Sequence, residues 1–366
     1  MNTPATRVRS LMDDHGLTQT EFAARVGLDA PKLSKSLSGT RRFSVVDLAN
    51  IAEEFDVSLD WLHTGQESEL VLAARRTAGA PAGEAVAVAR DLAIQRADLA
   101  SLGIAQDWRP LAMELPVGGR LVDQGARLAA AALARFDEEG LDPTAADLAG
   151  AIETAFGADV VVAEAGDGID GLAVSNPDAK IILVAPGAVP ARQRFTLAHE
   201  LCHLLFSDDQ GVHLDEDIYA KASKTGDSEM RANAFAASFL MPAAILEERV
   251  EQGFDETAFC RLAADLRVSP SALAYRLQNL GLIDGMTCST WGKISNKKAA
   301  ETVGEGSAYA LSVSAALAPR LPQRLVADAY RAYERGLTTL RPYANLVGQD
   351  VHELRRSLEA SEEAGE

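Results

Sequence analysis

Two histidines spaced four apart around a glutamate are the side chains of this sequence with the most evident chemistry. They stand in RQRFTLAHELCHLLF (192–206), as His199-Glu200-Leu201-Cys202-His203. On a helix, positions i and i+4 lie on one face about one turn apart, so both imidazoles can reach one ion. The flanking Phe195, Leu197, Leu204 and Leu205 mark a buried helix, where two unpaired histidines would be costly. So short a pattern also arises by chance, and support comes from further along. There, 26 residues after His203, Glu229 opens EMRANAFAASFLMP. Glu229, Asn233 and Ala236–Ala237 share one helical side, which sets a carboxylate and an amide one turn apart. Glu229 is read as the third ligand and Asn233 as a partner for a ligand imidazole. Two histidines and one glutamate leave a fourth position for water, the arrangement of a catalytic Zn2+ site. Glu200 is then the general base. Zinc lowers the pKa of a bound water from about 16 towards 7, and Glu200 can take its proton and pass it to a leaving amine.

Other reactive side chains are given plainer readings. Cys202, at i+3 from His199, is read as a small buried filler rather than a thiolate ligand. His213 with Asp215, Glu216 and Asp217 lacks helical spacing and is read as a solvated acidic loop. Only nearness in sequence recommends Tyr219 as an oxyanion partner. The stretch 262–283 faintly suggests a pair of crossed helices and is read as packing. Cys260, Cys288, Trp108 and Trp291 carry no signal above filler.

A second constellation lies near the start. LTQTEFAARVGLDAPKLSKSLSG (17–39) has the spacing that two crossed helices require. Thr18 can cap a helix starting near Gln19, and Asp29 the next. Ala23 is small where the helices cross, Gly27 permits the turn, and Leu33 faces inward. Downstream, Leu48, Ile51, Phe55, Leu59 and Leu62 share an apolar face. Over about 60 residues, including GLTQTEFA and the SLDWL ending, the sequence resembles the phage-repressor (Cro/C1, XRE-type) DNA-binding domain. The resemblance implies operator binding to double-stranded DNA. It places Gln19 at a helix start that contacts phosphate. Ala30, Pro31, Lys32, Ser34 and Lys35 then fall on the exposed side of a recognition helix. Lys32 and Lys35 can donate to guanine or phosphate, while Ala30 and Pro31 offer contact to a thymine methyl. Arg41 and Arg42 follow in a loop and are expected on backbone phosphates. Ser36 departs from a normally apolar position, and Leu37 from a commonly acidic one. Residues 1–65 hold seven basic and nine acidic side chains, far from a strongly basic face. Weak binding by a monomer is therefore expected, and with it a homodimer.

These motifs need elements to hold them. With 366 residues the chain has room for two or three domains. Residues 1–66 are read as the DNA-binding domain and 67–118 as a helical linker, broken by TAGAPAG (77–83) and WRPLAMELP. Residues 119–285 are read as a metal-bearing domain, and 286–366 as a helical extension with the acidic tail EASEEAGE. Within 119–285, helices are expected over 120–137 and 147–157. DVVVAEA, GLAVSN and KIILVA follow as three β-branched strands, and the pattern is helical again from Pro190 to Leu282. The expected fold is mainly α with a small β-sheet (α+β), behind an all-α N-terminal domain.

Composition narrows the function classes. Hydrophobic residues make 47% and charged residues 24%, which excludes wholesale disorder and fibrous repeats. The net charge of −18 argues against indiscriminate nucleic-acid binding without forbidding one DNA-reading face. No apolar run approaches the ~18 residues of a membrane span. Three cysteines make no disulfide framework, and the opening MNTPATRVRS has no secretory pattern. No membrane association is expected, and a cytoplasmic location is.

The ensemble of DGLAVS, a β run, RQRFTLAHE-x-x-H and E-x-x-A-N-x-F-A resembles the ImmA/IrrE metallopeptidase family over roughly 120–285. The resemblance implies zinc-dependent cleavage of a regulatory protein substrate, typically a repressor that itself carries an XRE-type domain. In such an architecture an edge strand, here KIILVA, is expected to pair with an extended substrate. Cys202 stands where this family often has glycine. The rival reading is a non-enzymatic regulator whose metallopeptidase-like domain senses a metal or ligand, or forms the dimer.

Overall fold

The computed structural model describes residues 3–55, 57, 62, 83–112, 119–166, 169–206, 211–216 and 226–363. It divides into two compact units, Met1–Arg76 and Thr77–Glu366. Among the described residues, no helix is long and apolar enough to cross a membrane.

The first unit contains α1 (Pro4–Asp14), α2 (Gln19–Arg25), α3 (Ala30–Leu37) and α4 (Val45–Glu54). Thr18 starts α2 through a reciprocal cap: its hydroxyl accepts from the Glu21 amide, and the Glu21 carboxylate accepts from the Thr18 amide. Ser44 and Asp47 do the same for α4. Each such cap supplies partners for amides that a helix start otherwise leaves open. Gly27 takes a φ of +66° in the turn between α2 and α3. Val8, Phe22, Leu33, Ile51 and Leu62 are fully buried, and Phe22 stacks on Phe55 at 4.7 Å. The expected apolar face is therefore the core; Leu59 lies outside the described residues. The buried Arg7 donates from Nε and Nη2 to the Leu62 carbonyl, at 3.1 and 2.8 Å, and so ties α1 to the end of the segment.

The second unit begins with α5 (Gly83–Ser101), α6 (Leu121–Glu138) and α7 (Leu148–Phe156). Residues 77–82 of TAGAPAG and 113–116 of WRPLAMELP lie outside the described residues. Next come β1 (Asp159–Val162), β2 (Ile169–Ser175), β3 (Lys180–Val184), α8 (Pro190–Phe206), β4 (Gly211–Glu216) and α9 (Asp227–Leu240). Beyond them are α10 (Ala243–Arg249), α11 (Glu256–Asp265), α12 (Pro270–Asn279), α13 (Gly285–Trp291) and α14 (Asn296–Thr302). The chain closes with α15 (Gly306–Leu317), α16 (Gln323–Glu334), α17 (Arg341–Leu346) and α18 (Val351–Glu363).

The sheet has the order β1-β3-β2-β4, with β1 parallel to β3 and the other pairs antiparallel. Two sequence expectations are corrected here. KIILVA forms β3 in the sheet interior, so it has no open edge to offer a peptide. Its run Ile181–Val184 is fully buried, which is what a strand covered on both faces requires. Residues 211–216, expected as an acidic loop, form β4 beside β2, with Leu172 opposite Leu214 and Val174 opposite Val212. The period-two spacing of Val212 and Leu214 is short, and pairing with β2 outweighs the polar residues between them. The outer side of β1 is closed by two 3.0 Å backbone hydrogen bonds between Val162 and Arg320. Among the described residues no strand lies beyond β4.

Charged clusters tie the flanking helices to this sheet. Arg96 of α5, fully buried, donates to both Asp159 carboxylate oxygens at 2.5 and 2.6 Å and to Asp328 of α16 at 2.6 Å. Glu153 of α7 accepts from Arg320 at 2.7 Å and from the Val160 and Gln323 amides at 3.1 Å. Removing one member of such a buried pair typically costs about 3–5 kcal/mol, because the other charge stays buried. Segments from both ends of the unit thus close over one sheet.

Candidate metal centre and nucleic-acid interface

The metal-type side chains sit on α8 and α9. Helix α8 packs on β2 and β3 with one side and on α9 with another, so Thr196–Leu205 is buried throughout. Helix α9 is held by α6 through a close crossing at Gly125. A Cβ there would lie 2.4 Å from the Arg231 carbonyl oxygen and 2.9 Å from the Phe235 amide. Phe239 stacks on Phe235 at 5.6 Å and meets Phe136 of α6 edge-on at 5.1 Å. These contacts fix where Glu229, in the first turn of α9, points.

His199 Nε2 lies 3.1 Å from His203 Nε2. Glu229 Oε2 is 3.3 Å from His199 Nε2, and Oε1 is 3.6 Å from His203 Nε2. His199 is fully buried and His203 nearly so, while the Glu229 side chain is 15% exposed. Ligand atoms about 2.0–2.1 Å from a tetrahedral zinc stand about 3.3–3.4 Å apart. The imidazole–imidazole separation of 3.1 Å and the Oε2–His199 separation of 3.3 Å lie close to that edge length. One donor atom from each of the three residues lies within 4.8 Å of the others, a spacing that could hold one metal ion. Two imidazole nitrogens and one carboxylate oxygen are also a donor set that suits zinc.

Glu200 is fully buried one residue from His199, about 100° around the helix. Strand β2 passes directly over it. A Cβ at Gly171 would stand 3.1 Å from Glu200 Oε1 and 2.5 Å from Thr196 Cγ2. Gly171 is therefore a site residue that the sequence reading did not single out. Its signal is a glycine inside the strand run IDGLAVS, which marks close approach of another group to the backbone. Asn233 lies half-buried one turn after Glu229, and its side chain has no hydrogen bond to another described residue. Cys202 is 1% exposed within the core, and burial pushes its thiol pKa up, as befits an inert filler. Asp217 and Tyr219 lie outside the described residues, and only the backbone of His213, Asp215 and Glu216 is described.

In the first unit, Gln19, Pro31, Lys32, Ser34 and Lys35 are exposed and Ala30 is half-buried, while Leu33, Ser36 and Leu37 face the core. Asp29 precedes α3 without a side-chain cap and instead pairs with Lys32 at 3.0 Å. Arg41 turns inward, donating to Ser36 Oγ at 3.0 Å and pairing with Asp47 at 2.7 Å. That bond explains how a serine stands at an otherwise apolar core position. It also leaves Arg42 as the exposed member of the Arg41–Arg42 pair. Alanine at Lys35 is expected to weaken operator binding by about 1–3 kcal/mol. Alanine at Arg42 should weaken all duplexes alike and reduce the salt slope by about one. Titrating each variant against specific and random duplexes at several salt concentrations checks both.

A helix-turn-helix module joined to an α+β unit with a two-histidine, one-carboxylate centre is the class of protein defined by this geometry. Comparison with known families agrees. Residues 8–62 match the helix-turn-helix family and residues 154–278 match the IrrE N-terminal-like domain of the M78 peptidases. Over 104 residues the chain is 36% identical to the radiation response metalloprotease IrrE of Deinococcus radiodurans, covering 28% of this chain and 32% of that protein. The protein of the same name from Deinococcus deserti is 35% identical over 104 residues, covering 28% and 37%. The match thus spans about a third of the length of these relatives. The chain carries an XRE-type helix-turn-helix DNA-binding domain and an IrrE-like metalloprotease domain.

Proposed function

We propose that this protein is a DNA-binding transcription regulator whose second unit is a zinc-dependent peptidase acting on a regulatory protein. His199, His203 and Glu229 would hold the zinc, and Glu200 would serve as general base. Three pre-spaced donors with an intact buried carboxylate at the next position carry this reading. A purely structural zinc site would instead supply a fourth protein ligand. Bound zinc would polarise a scissile carbonyl and acidify water. Glu200 would accept the proton of the attacking water and return it to the leaving amine. Gly171 leaves its carboxylate room beneath β2. With β3 enclosed, β4 is the strand to which an extended substrate would add.

The substrate proposed is a repressor that itself carries an XRE-type domain, and the operator would be read by Lys32, Ser34 and Lys35 of α3. The near-neutral charge balance of residues 1–65 favours a homodimer on two half-sites, acting in the cytoplasm. Residues 286–366 would serve as an extension that closes the sheet edge. Metal removal tests the enzyme. Incubated with the candidate repressor, the purified chain should cleave it. Cleavage should stop after dialysis against a chelator and return with added zinc. Cleavage that is unaffected by chelation would overturn the proposal.

A further inference from the structure

Away from the metal centre, the second unit contains a cavity of about 770 Å³, between the N-terminal half of α8 and α15. None of His199, Glu200, His203 or Glu229 lines it. Its volume lies within the range of small-molecule sites, about 300–1,000 Å³. The walls are mainly aliphatic, including Leu197, Val268 and Leu311, and Leu311 is 73% exposed. An exposed leucine opening onto an apolar hollow is a surface that water solvates poorly.

The charges in this wall do not balance. Arg194 is 7% exposed, and its two Nη atoms donate to the Ala145 and Pro143 carbonyls. Its Nε is buried without a hydrogen-bond partner, and no carboxylate pairs with it among the described residues. Arg267 is exposed and likewise has no ion pair among the described residues. Burial pushes Arg194 down to about 10, with repulsion from Arg267 adding to it and Asp142 opposing it. The guanidinium therefore stays charged at neutral pH. The other charged walls are already engaged: Arg320 by Glu153 and Asp147, Asp147 also by the Gly150 amide that it caps, and Glu305 by Arg261. Arg267 also holds a φ of +53°, the one positive value at a non-glycine among the described residues. This is the left-handed residue that ends α11: its amide donates to the Ala264 carbonyl and the Val268 amide to the Ala263 carbonyl, and the turn sets Arg267 at the cavity wall.

We propose that this cavity binds a small amphiphilic anion, an aliphatic monocarboxylate whose head meets Arg194 and Arg267 and whose chain lies along Leu197, Val268 and Leu311. A carboxylate would neutralise the surplus charge and accept from guanidinium donors that remain open. The aliphatic body follows from walls of alanine, leucine, valine and proline side chains, with Tyr309 as the aromatic among them.

Calorimetric titration of the full chain with octanoate, octanol and octylammonium, each below its micelle concentration, tests this. Octanoate is expected to bind saturably, one per chain. The neutral and cationic analogues should bind at least ~10-fold more weakly, since charged hydrogen bonds are the stronger kind. Arg267→Ala should weaken octanoate by about 5-fold or more. Leu311→Glu, which sets an anion at the mouth, should weaken it by about 10-fold or more. Both changes fall on exposed side chains, and unchanged thermal melting would show that the fold is kept. Octanol binding as tightly as octanoate, full affinity in Leu311→Glu, or no saturable binding of octanoate would each overturn the proposal.

Discussion

Replacing His203 with alanine is expected to strip the purified protein of its metal, from about one zinc per chain to a small fraction of that. The magnitude follows from the geometry. His203 Nε2 stands 3.1 Å from His199 Nε2 and 3.6 Å from Glu229 Oε1, so it supplies one corner of a three-cornered donor set. Changes to residues that merely orient such ligands cost about 10–100-fold in metal affinity, and loss of a ligand should exceed that range. Asn233→Ala provides the comparison: if its amide orients an imidazole once zinc is bound, affinity should fall by about 10–100-fold without emptying the site. Elemental analysis of dialysed protein, with thermal melting to confirm folding, measures both. Stoichiometric zinc persisting in His203→Ala would place the site on other residues.

Local signals were the readable part of this sequence. The cap at Thr18, the turn at Gly27 and the helices bearing His199 and Glu229 each depend on residues a few positions apart, and the structure places them as expected. What escaped the reading depends on partners far along the chain. Arg96 bonds Asp328 across 232 positions, so nothing near Arg96 advertises that α5 is part of the sheet domain's core. The acidic residues of 211–216 conceal a strand whose partner, β2, is supplied by the fold. KIILVA was correctly legible as a strand, and its unbroken apolar run already argued for an interior position rather than an edge. Gly171 was visible as a glycine in a strand, but its meaning lies in Glu200 above it. Arg41, expected on a backbone phosphate, is also held by Asp47 and the buried Ser36, a link that its neighbours in sequence do not announce.

Glu200→Gln should separate a peptidase from a metal-gated regulator. The carboxylate is fully buried beside the metal-type donors yet is not one of the three that converge. Glutamine keeps its volume and part of its hydrogen bonding but cannot accept a proton from water. In a peptidase, the variant is expected to hold zinc and DNA normally and to lose cleavage by at least the ~10²–10⁴-fold that general acid–base catalysis supplies. Gly171→Ala offers an independent approach to the same group, because its added methyl would press on Thr196 and on Glu200 Oε1. It should lower cleavage while leaving the three metal donors in place. A reporter driven by the cognate promoter, read beside a blot of the candidate repressor, reports on both variants in cells. In a sensor, by contrast, Glu200→Gln leaves regulation intact while His199→Ala, which removes a donor, disturbs it. Regulation that survives Glu200→Gln and collapses with His199→Ala would therefore sink the enzyme and leave a regulator gated by metal alone.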